Sequence, residues 1–199
     1  IYTNYEIGVN KGDFEITATE ESLKVSANNY EGAYDGDGHG VVAKAYINGI
    51  KETTDAVIRY YNERSGKFDL TESPKFIDVK SATPGERTYT VRFQATLDGL
   101  TAEGSANVLI APRKLVLSSG TKSKDYDGLP LTSQEVVIIE GSIIKGQIYD
   151  LKATGSVTTV AEKMVENTIT YSTTDEFKPV NYEIEPVPGM LHIEKRDVI

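Results

Sequence analysis

This chain repeats itself, and the repetition limits its possible folds more than any other feature. Asn4-Tyr5-Glu6-Ile7 returns as Asn181-Tyr182-Glu183-Ile184. In both copies a glycine follows eight positions after the asparagine (Gly12, Gly189) and an isoleucine twelve positions after it (Ile16, Ile193). Between these copies, Tyr34-Asp35-Gly36 recurs as Tyr126-Asp127-Gly128. Landmarks that return in this way mark a tandem array whose units share one architecture. The ends of the units echo as well. Ile110-Ala111-Pro112-Arg113 leads into Leu115-Val116-Leu117, and Ile193-Glu194-Lys195-Arg196 leads into Val198-Ile199. The expected division is therefore one unit over 18–111 and a second over 112–194. The closing strands of a preceding repeat occupy 1–17, and the start of a following one occupies 195–199. Each unit is expected to have its own core, with a linker of a few residues that limits bending.

The residues that fill these units favour strands. Thr, Val, Ile and Tyr are plentiful, and turn residues recur about every ten positions, which predicts an all-β chain. Tyr89, Val91, Phe93 and Ala95 alternate with Thr88, Thr90, Arg92 and Gln94, the period of a strand with one buried face. Ala106, Val108 and Ile110 continue that pattern. In the second unit the same reading puts Tyr149, Leu151 and Ala153 on one face, Ile169 with Tyr171, Tyr182 with Ile184, and Leu191 with Ile193. Asn48-Gly49 predicts a type I′ hairpin, because both residues accept positive φ. Ser65-Gly66 predicts a second hairpin, between Val57–Tyr61 and Phe68–Leu70. A helix over 55–64 is rejected, because Val57, Ile58, Tyr60 and Tyr61 favour strands. The fold class that follows is two tandem Ig-like antiparallel β-sandwiches in an elongated arrangement.

Composition narrows the partners. With no cysteine, disulfides and thiolate metal sites are ruled out, so each unit depends on core packing. A unit of this size buries only about 60–65 % of its unfolded surface, so contacts between neighbours matter. A formal net charge of −9 argues against nucleic acid and anionic membrane as partners. No apolar run is long enough to span a bilayer, so membrane insertion is not expected, and neither is a signal peptide within these residues.

The order of landmarks resembles the immunoglobulin-like repeats with Tyr-Asp-Gly motifs (MBG-type) of Gram-positive surface proteins. In the second unit the resemblance rests on Lys124-Asp125-Tyr126-Asp127-Gly128-Leu129-Pro130-Leu131-Thr132, Thr154-Gly155-Ser156, Asn167-Thr168-Ile169-Thr170-Tyr171, Asn181-Tyr182 and Gly189-Met190-Leu191. The first unit looks like a sister subtype, with Tyr34-Asp35-Gly36, His39-Gly40 and Thr88-Tyr89-Thr90-Val91. It has Leu97-Asp98-Gly99-Leu100 where the Asn-Tyr pair is expected. The resemblance implies a secreted or wall-attached bacterial protein in which such units form stalks or adhesive arrays. It also implies monomeric units whose partners are neighbouring repeats, and a glycan or host protein as a further possible partner. It brings no catalytic residues. Two alternatives stay open: a direct adhesin or carbohydrate-binding module, and accessory domains of an extracellular polysaccharide-degrading enzyme.

The candidate sites have simpler roles, and no catalytic, cofactor or metal residue is assigned. Asp35-Gly36-Asp37-Gly38 has the oxygen donors of a calcium loop but not the alternating acids closed by Glu, so a glycine-rich turn is expected. The Tyr-Asp-Gly motif itself reads as a tight turn pinned by an aromatic ring. Ser119 and Lys122 have nucleophile spacing, which needs a helix that Gly120 and its β-rich flanks oppose. His39 and His192 are the only histidines, and neither sits in metal-ligand spacing. Tyr60-Tyr61 must place one ring on each face of a strand, which makes the pair the best place to look for a contact surface. A Lys114–Asn181 isopeptide bond would suit a chain without cysteine and stands as an alternative source of stability.

Overall fold

The computed structural model describes residues 21–197, so the expected strands over 1–17, with the first Asn-Tyr-Glu-Ile copy, lie outside the described residues, as do Val198 and Ile199. Residues 21–111 hold eight strands: β1 (Leu23–Ala27), β2 (Tyr30–Ala33), β3 (Ala43–Ile47), β4 (Lys51–Thr53), β5 (Val57–Asn62), β6 (Lys67–Leu70), β7 (Thr88–Leu97) and β8 (Leu100–Ala111). Beyond Pro112 come β9 (Arg113–Ser119), β10 (Lys122–Asp125), β11 (Leu131–Thr132), β12 (Val136–Glu140), β13 (Ile148–Ala153), β14 (Ser156–Val157), β15 (Met164–Asn167), β16 (Ile169–Thr173), β17 (Tyr182–Val187) and β18 (Gly189–Glu194). The only helical elements among the described residues are single 3-10 turns at Pro84–Glu86, Val160–Glu162 and Pro179–Asn181. The protein is all-β.

In the first unit a sheet ordered β1-β3-β4 faces one ordered β2-β8-β7-β5-β6. The core lies between them. Val91, Phe93 and Ala95 from β7, with Ala106, Val108 and Ile110 from β8, point inward as the alternation predicts, and Ala43 and Ala45 of β3 face them. The first stretch of the unit is shared between the sheets. Its β1 half pairs with β3, and its β2 half pairs with the last strand. This division makes the sandwich Ig-like.

Three parallel pairs qualify the antiparallel expectation: β2 with β8, β10 with β18, and β9 with β17. The cause is topological. Where the opening and closing strands of a unit run the same way, the chain enters one end and leaves by the other, as serial units require.

The turns follow local chemistry. Asn48 and Gly49 have φ of 53° and 70°, and the Ile50 amide donates to the Ile47 carbonyl at 3.2 Å. Gly66, with φ of 67°, closes the second hairpin by donating to Asn62 O at 2.8 Å. Asp98-Gly99 is a two-residue hairpin turn between β7 and β8 with φ of 47° and 83°.

The second unit contains sheets ordered β10-β18-β15, β12-β9-β17, β11-β14 and β13-β16. Two face assignments fail here, those of Tyr149 and Tyr171. A bulge at Asp150 and Leu151, opposite Tyr171, breaks the β13–β16 register, and Asp150 takes φ of 52°. Ile148 and Ala153 therefore turn inward, while Tyr149 and Tyr171 are exposed. An extra residue in one strand reverses the alternation beyond it.

The expectation of separate cores also needs correction. Among the described residues no sheet contains strands from both sides of Pro112. The first unit's apolar cluster nevertheless runs across that point to take in Tyr182, Phe177, Val180, Ile184 and Ile144. The second unit keeps two small clusters of its own, around Leu115–Leu117–Ile148 and around Val157–Leu191–Ile193. A small sandwich buries only a modest share of its surface, and the shared layer adds to that burial.

Candidate functional site: the joint between the units

The two repeated motifs meet each other. Tyr34 of the Tyr-Asp-Gly turn, at the end of β2, packs edge-on against Tyr182 with ring centroids 5.6 Å apart, and Phe177 stacks on Tyr182 at 5.1 Å. The Tyr182 hydroxyl donates to Gln147 Oε1 at 2.6 Å, and Gln147 Nε2 donates to the Tyr34 hydroxyl at 2.7 Å. This relay fixes both rings and leaves neither hydroxyl unpaired in a buried place. Burial raises the phenol pKa of Tyr182, so its hydroxyl stays a neutral donor at ordinary pH.

Asn181 ends the 3-10 turn that Pro179 opens, and it is fully buried. Its Oδ1 accepts the Val79 amide at 2.8 Å, and its Nδ2 donates to Asp78 Oδ1 at 2.8 Å. Lys178 Nζ holds the other oxygen, Asp78 Oδ2, at 2.5 Å. Burial pushes the Asp78 carboxyl up, but the hydrogen bonds from Lys178 and Asn181 outweigh it, so the group lies below its ordinary pKa. Arg113 forms the other side. Its guanidinium donates to Tyr34 O at 3.1 Å, to Ser142 O at 2.7 Å and to the Ser142 hydroxyl. One side chain thus ties the residue that follows β2 to a loop of the next unit.

The other candidates resolve into structural roles. Asp35 Oδ1 accepts the Asp37 amide at 2.9 Å and shares a hydrogen bond with His39 Nε2, also at 2.9 Å. The His39 bond is the larger cause of the lowered Asp35 pKa, with the Asp37 amide second. The His39 ring stacks on Tyr30 at 4.3 Å. The run 35–38 is therefore a closed Asx-type turn, and among the described residues no three His, Asp or Glu side chains converge as metal ligands. Ser119 is buried, donating to Asn167 O at 2.6 Å and accepting the Gly189 amide at 2.9 Å, while Lys122 sits exposed on the next strand. His192 lies on the face opposite Leu191 and Ile193, its Nδ1 3.2 Å from Lys163 O.

Lys114 and Asn181 are engaged separately. Lys114 Nζ pairs with Glu140 at 2.9 Å, and that hydrogen bond and charge raise its pKa, the reverse of what a nucleophilic amine needs. The Asn181 amide is held by the first unit instead.

Tyr60 and Tyr61 divide between faces. Tyr60 is buried, and its hydroxyl accepts the Ala43 amide at 2.9 Å. Tyr61 is half-buried, with the Arg92 guanidinium 4.3 Å from its ring centroid. It lines a surface groove of about 490 Å³ with Phe76, Tyr89, Lys80 and Arg92. Phe76 and Tyr89 stack at 4.0 Å.

The second-unit landmarks have their own centre. Asn167 is fully buried. It donates to Ser133 O at 3.0 Å and Gly120 O at 3.2 Å, and accepts the Gly155 amide at 3.1 Å. Sequence reasoning missed the pairing of Asn181 with Asp78 and of Tyr34 with Gln147, which join distant parts of the chain. The usable signal was that both motifs occur twice.

No protein-family model matches this chain, and no curated protein is significantly similar to it. Among solved structures, the titin Ig tandem domains A164-A165 align with 88 % of this chain and 97 % of their own at 8 % identity, with a TM-score of 0.31. A likeness at that level carries no argument about function.

Proposed function

We propose that this chain is a non-catalytic spacer segment of a bacterial cell-surface or secreted protein, built from MBG-type repeats that hold a distal adhesive or functional domain away from the wall. The observation that carries the reading is the joint. Arg113, Tyr34, Gln147 and Tyr182 form one hydrogen-bonded chain across it, and Asn181 bonded to Asp78 and Val79 forms a second. A spacer has to resist bending where its units meet, and buried, fully paired polar contacts give directional resistance that an apolar contact alone lacks. The acidic balance supports the same reading, because rods of like charge repel and stay soluble. In series, stability comes from each unit plus its nearest-neighbour contacts.

Small-angle scattering tests it. The spacer reading expects an elongated particle with a narrow range of lengths, which broadens in Tyr34→Ala. A compact particle, or a broad range already in the unsubstituted chain, contradicts it.

The groove at Tyr61, Phe76, Tyr89 and Arg92 favours a second reading, a direct adhesin or carbohydrate-binding module, since aromatic faces beside cations stack on sugar rings and hold their acidic groups. Glycan-array binding that disappears in Tyr61→Ala would favour it over the spacer. A catalytic domain in the parent gene would favour accessory domains of a polysaccharide-degrading enzyme.

A further inference from the structure

The second unit carries a copy of the acceptor half of the joint at its far end. In the first unit the Tyr34 amide donates to Ala111 O of the last strand at 2.8 Å; in the second, the Tyr126 amide donates to Glu194 O at 3.0 Å. The parallel ladders leading there match, with Ala33 opposite Ala111 and Asp125 opposite Glu194. Asp35 Oδ1 caps the Asp37 amide, and Asp127 Oδ1 caps the Leu129 amide, both at 2.9 Å. Gly36 and Gly128 have φ of 87° and 81°. Arg113 stands two residues after Ala111, and Arg196 two residues after Glu194.

What differs is occupancy. Tyr34 is 3 % exposed, whereas Tyr126 is 44 % and its neighbour Leu129 64 % exposed. A Cβ on Gly36 would lie 3.5 Å from Ile144 of the second unit; one on Gly128 would meet nothing within 4 Å. Arg196 is exposed, whereas Arg113 is held between units. The backbone of the acceptor is in place, and among the described residues nothing packs on it. Asp78 lies outside the repeated motif.

We propose that Tyr126, Gly128, Leu129 and Arg196 form a docking surface for a further β-unit of the second unit's type, one presenting a buried Asn-Tyr pair and a glutamine. The Tyr126 hydroxyl accepts from that glutamine, its ring meets the incoming tyrosine edge-on, and the Arg196 guanidinium ties Tyr126 O to the incoming loop. Leu129 adds apolar contact where the first joint has Asp37. The inference rests on the spacer reading and names the partner that reading requires.

The test extends the full chain by placing a copy of residues 114–197 after Arg196 and follows nitration of individual tyrosines by peptide mass spectrometry. Tyr126 is expected to react roughly tenfold more slowly in the extended chain, and to recover its reactivity when the copy of Tyr182 in the appended unit is changed to Ala. Tyr34 serves as the protected reference in both. Unchanged Tyr126 reactivity, or protection that survives that substitution, overturns the proposal. Self-association of the unextended chain that covers Tyr126 also overturns it, since the surface would then serve contacts between copies. Asp37→Leu in the unextended chain puts the second unit's residue into the Tyr-Asp-Gly turn that bears the working joint and does not depend on the appended unit folding. Tyr34 is expected to stay protected, and a reactive Tyr34 overturns the equivalence of the two motifs. The spacer reading fails separately, through compact scattering of the unextended chain.

Discussion

At the residue scale, stability rests on a few buried polar side chains and close backbone approaches. Asn167 satisfies three backbone groups at once, so Asn167→Ala leaves them unpaired in the interior and is expected to cost about 2–4 kcal/mol in urea unfolding. Gly189 is fixed by a different cause. A Cβ there would lie 2.5 Å from the carbonyl carbon and oxygen of Gly120, backbone atoms that cannot rotate away. Gly189→Ala is therefore expected to cost on the order of 3 kcal/mol, read as a lower denaturation midpoint with unchanged slope. Tyr182→Phe removes only the hydroxyl of the Gln147 relay and is expected to cost about 1 kcal/mol. The landmark residues were legible in sequence, but their partners were not. Gly189 looks like any strand-opening glycine until Ser119 and Gly120 are seen beside it.

At the element scale, what was legible depended on whether the cause was local. Asn48-Gly49 and Ser65-Gly66 were readable because their turn chemistry sits within a few residues. The long β7 and β8 were readable because strict alternation faces one core. The bulge at Asp150 was not, since nothing local distinguishes an aspartate that takes positive φ from one that stays extended. It cost the face assignment of Tyr149. The hairpin at Asp98-Gly99 supports a further prediction. Gly99→Ala places a Cβ at φ of 83° with open space around it, so the penalty is conformational alone, about 1 kcal/mol. A measured loss of several kcal/mol would mean that this turn makes contacts the fold does not account for.

At the scale of the whole molecule, the units keep separate sheets but share an apolar layer and a polar latch. Sequence indicated the echo but not the meeting, because Asn181 and Asp78 are 103 residues apart. The latch responds to acid. Asp78 has a depressed pKa in the folded joint, so its contribution is fully present above the ordinary carboxylate value, about pH 4, and is lost as pH falls through the lower folded value. Amide exchange at Val79, whose N–H is held by Asn181, is expected to accelerate over that window, and Asp78→Asn is expected to flatten the dependence.

The central claim, that the joint holds the two units in one orientation, is tested most directly by residual dipolar couplings of amides in residues 21–111 and 113–194 at neutral pH. A single alignment tensor fitting both sets is predicted, separating into two in Tyr34→Ala. Two independent tensors in the unsubstituted chain would contradict the account.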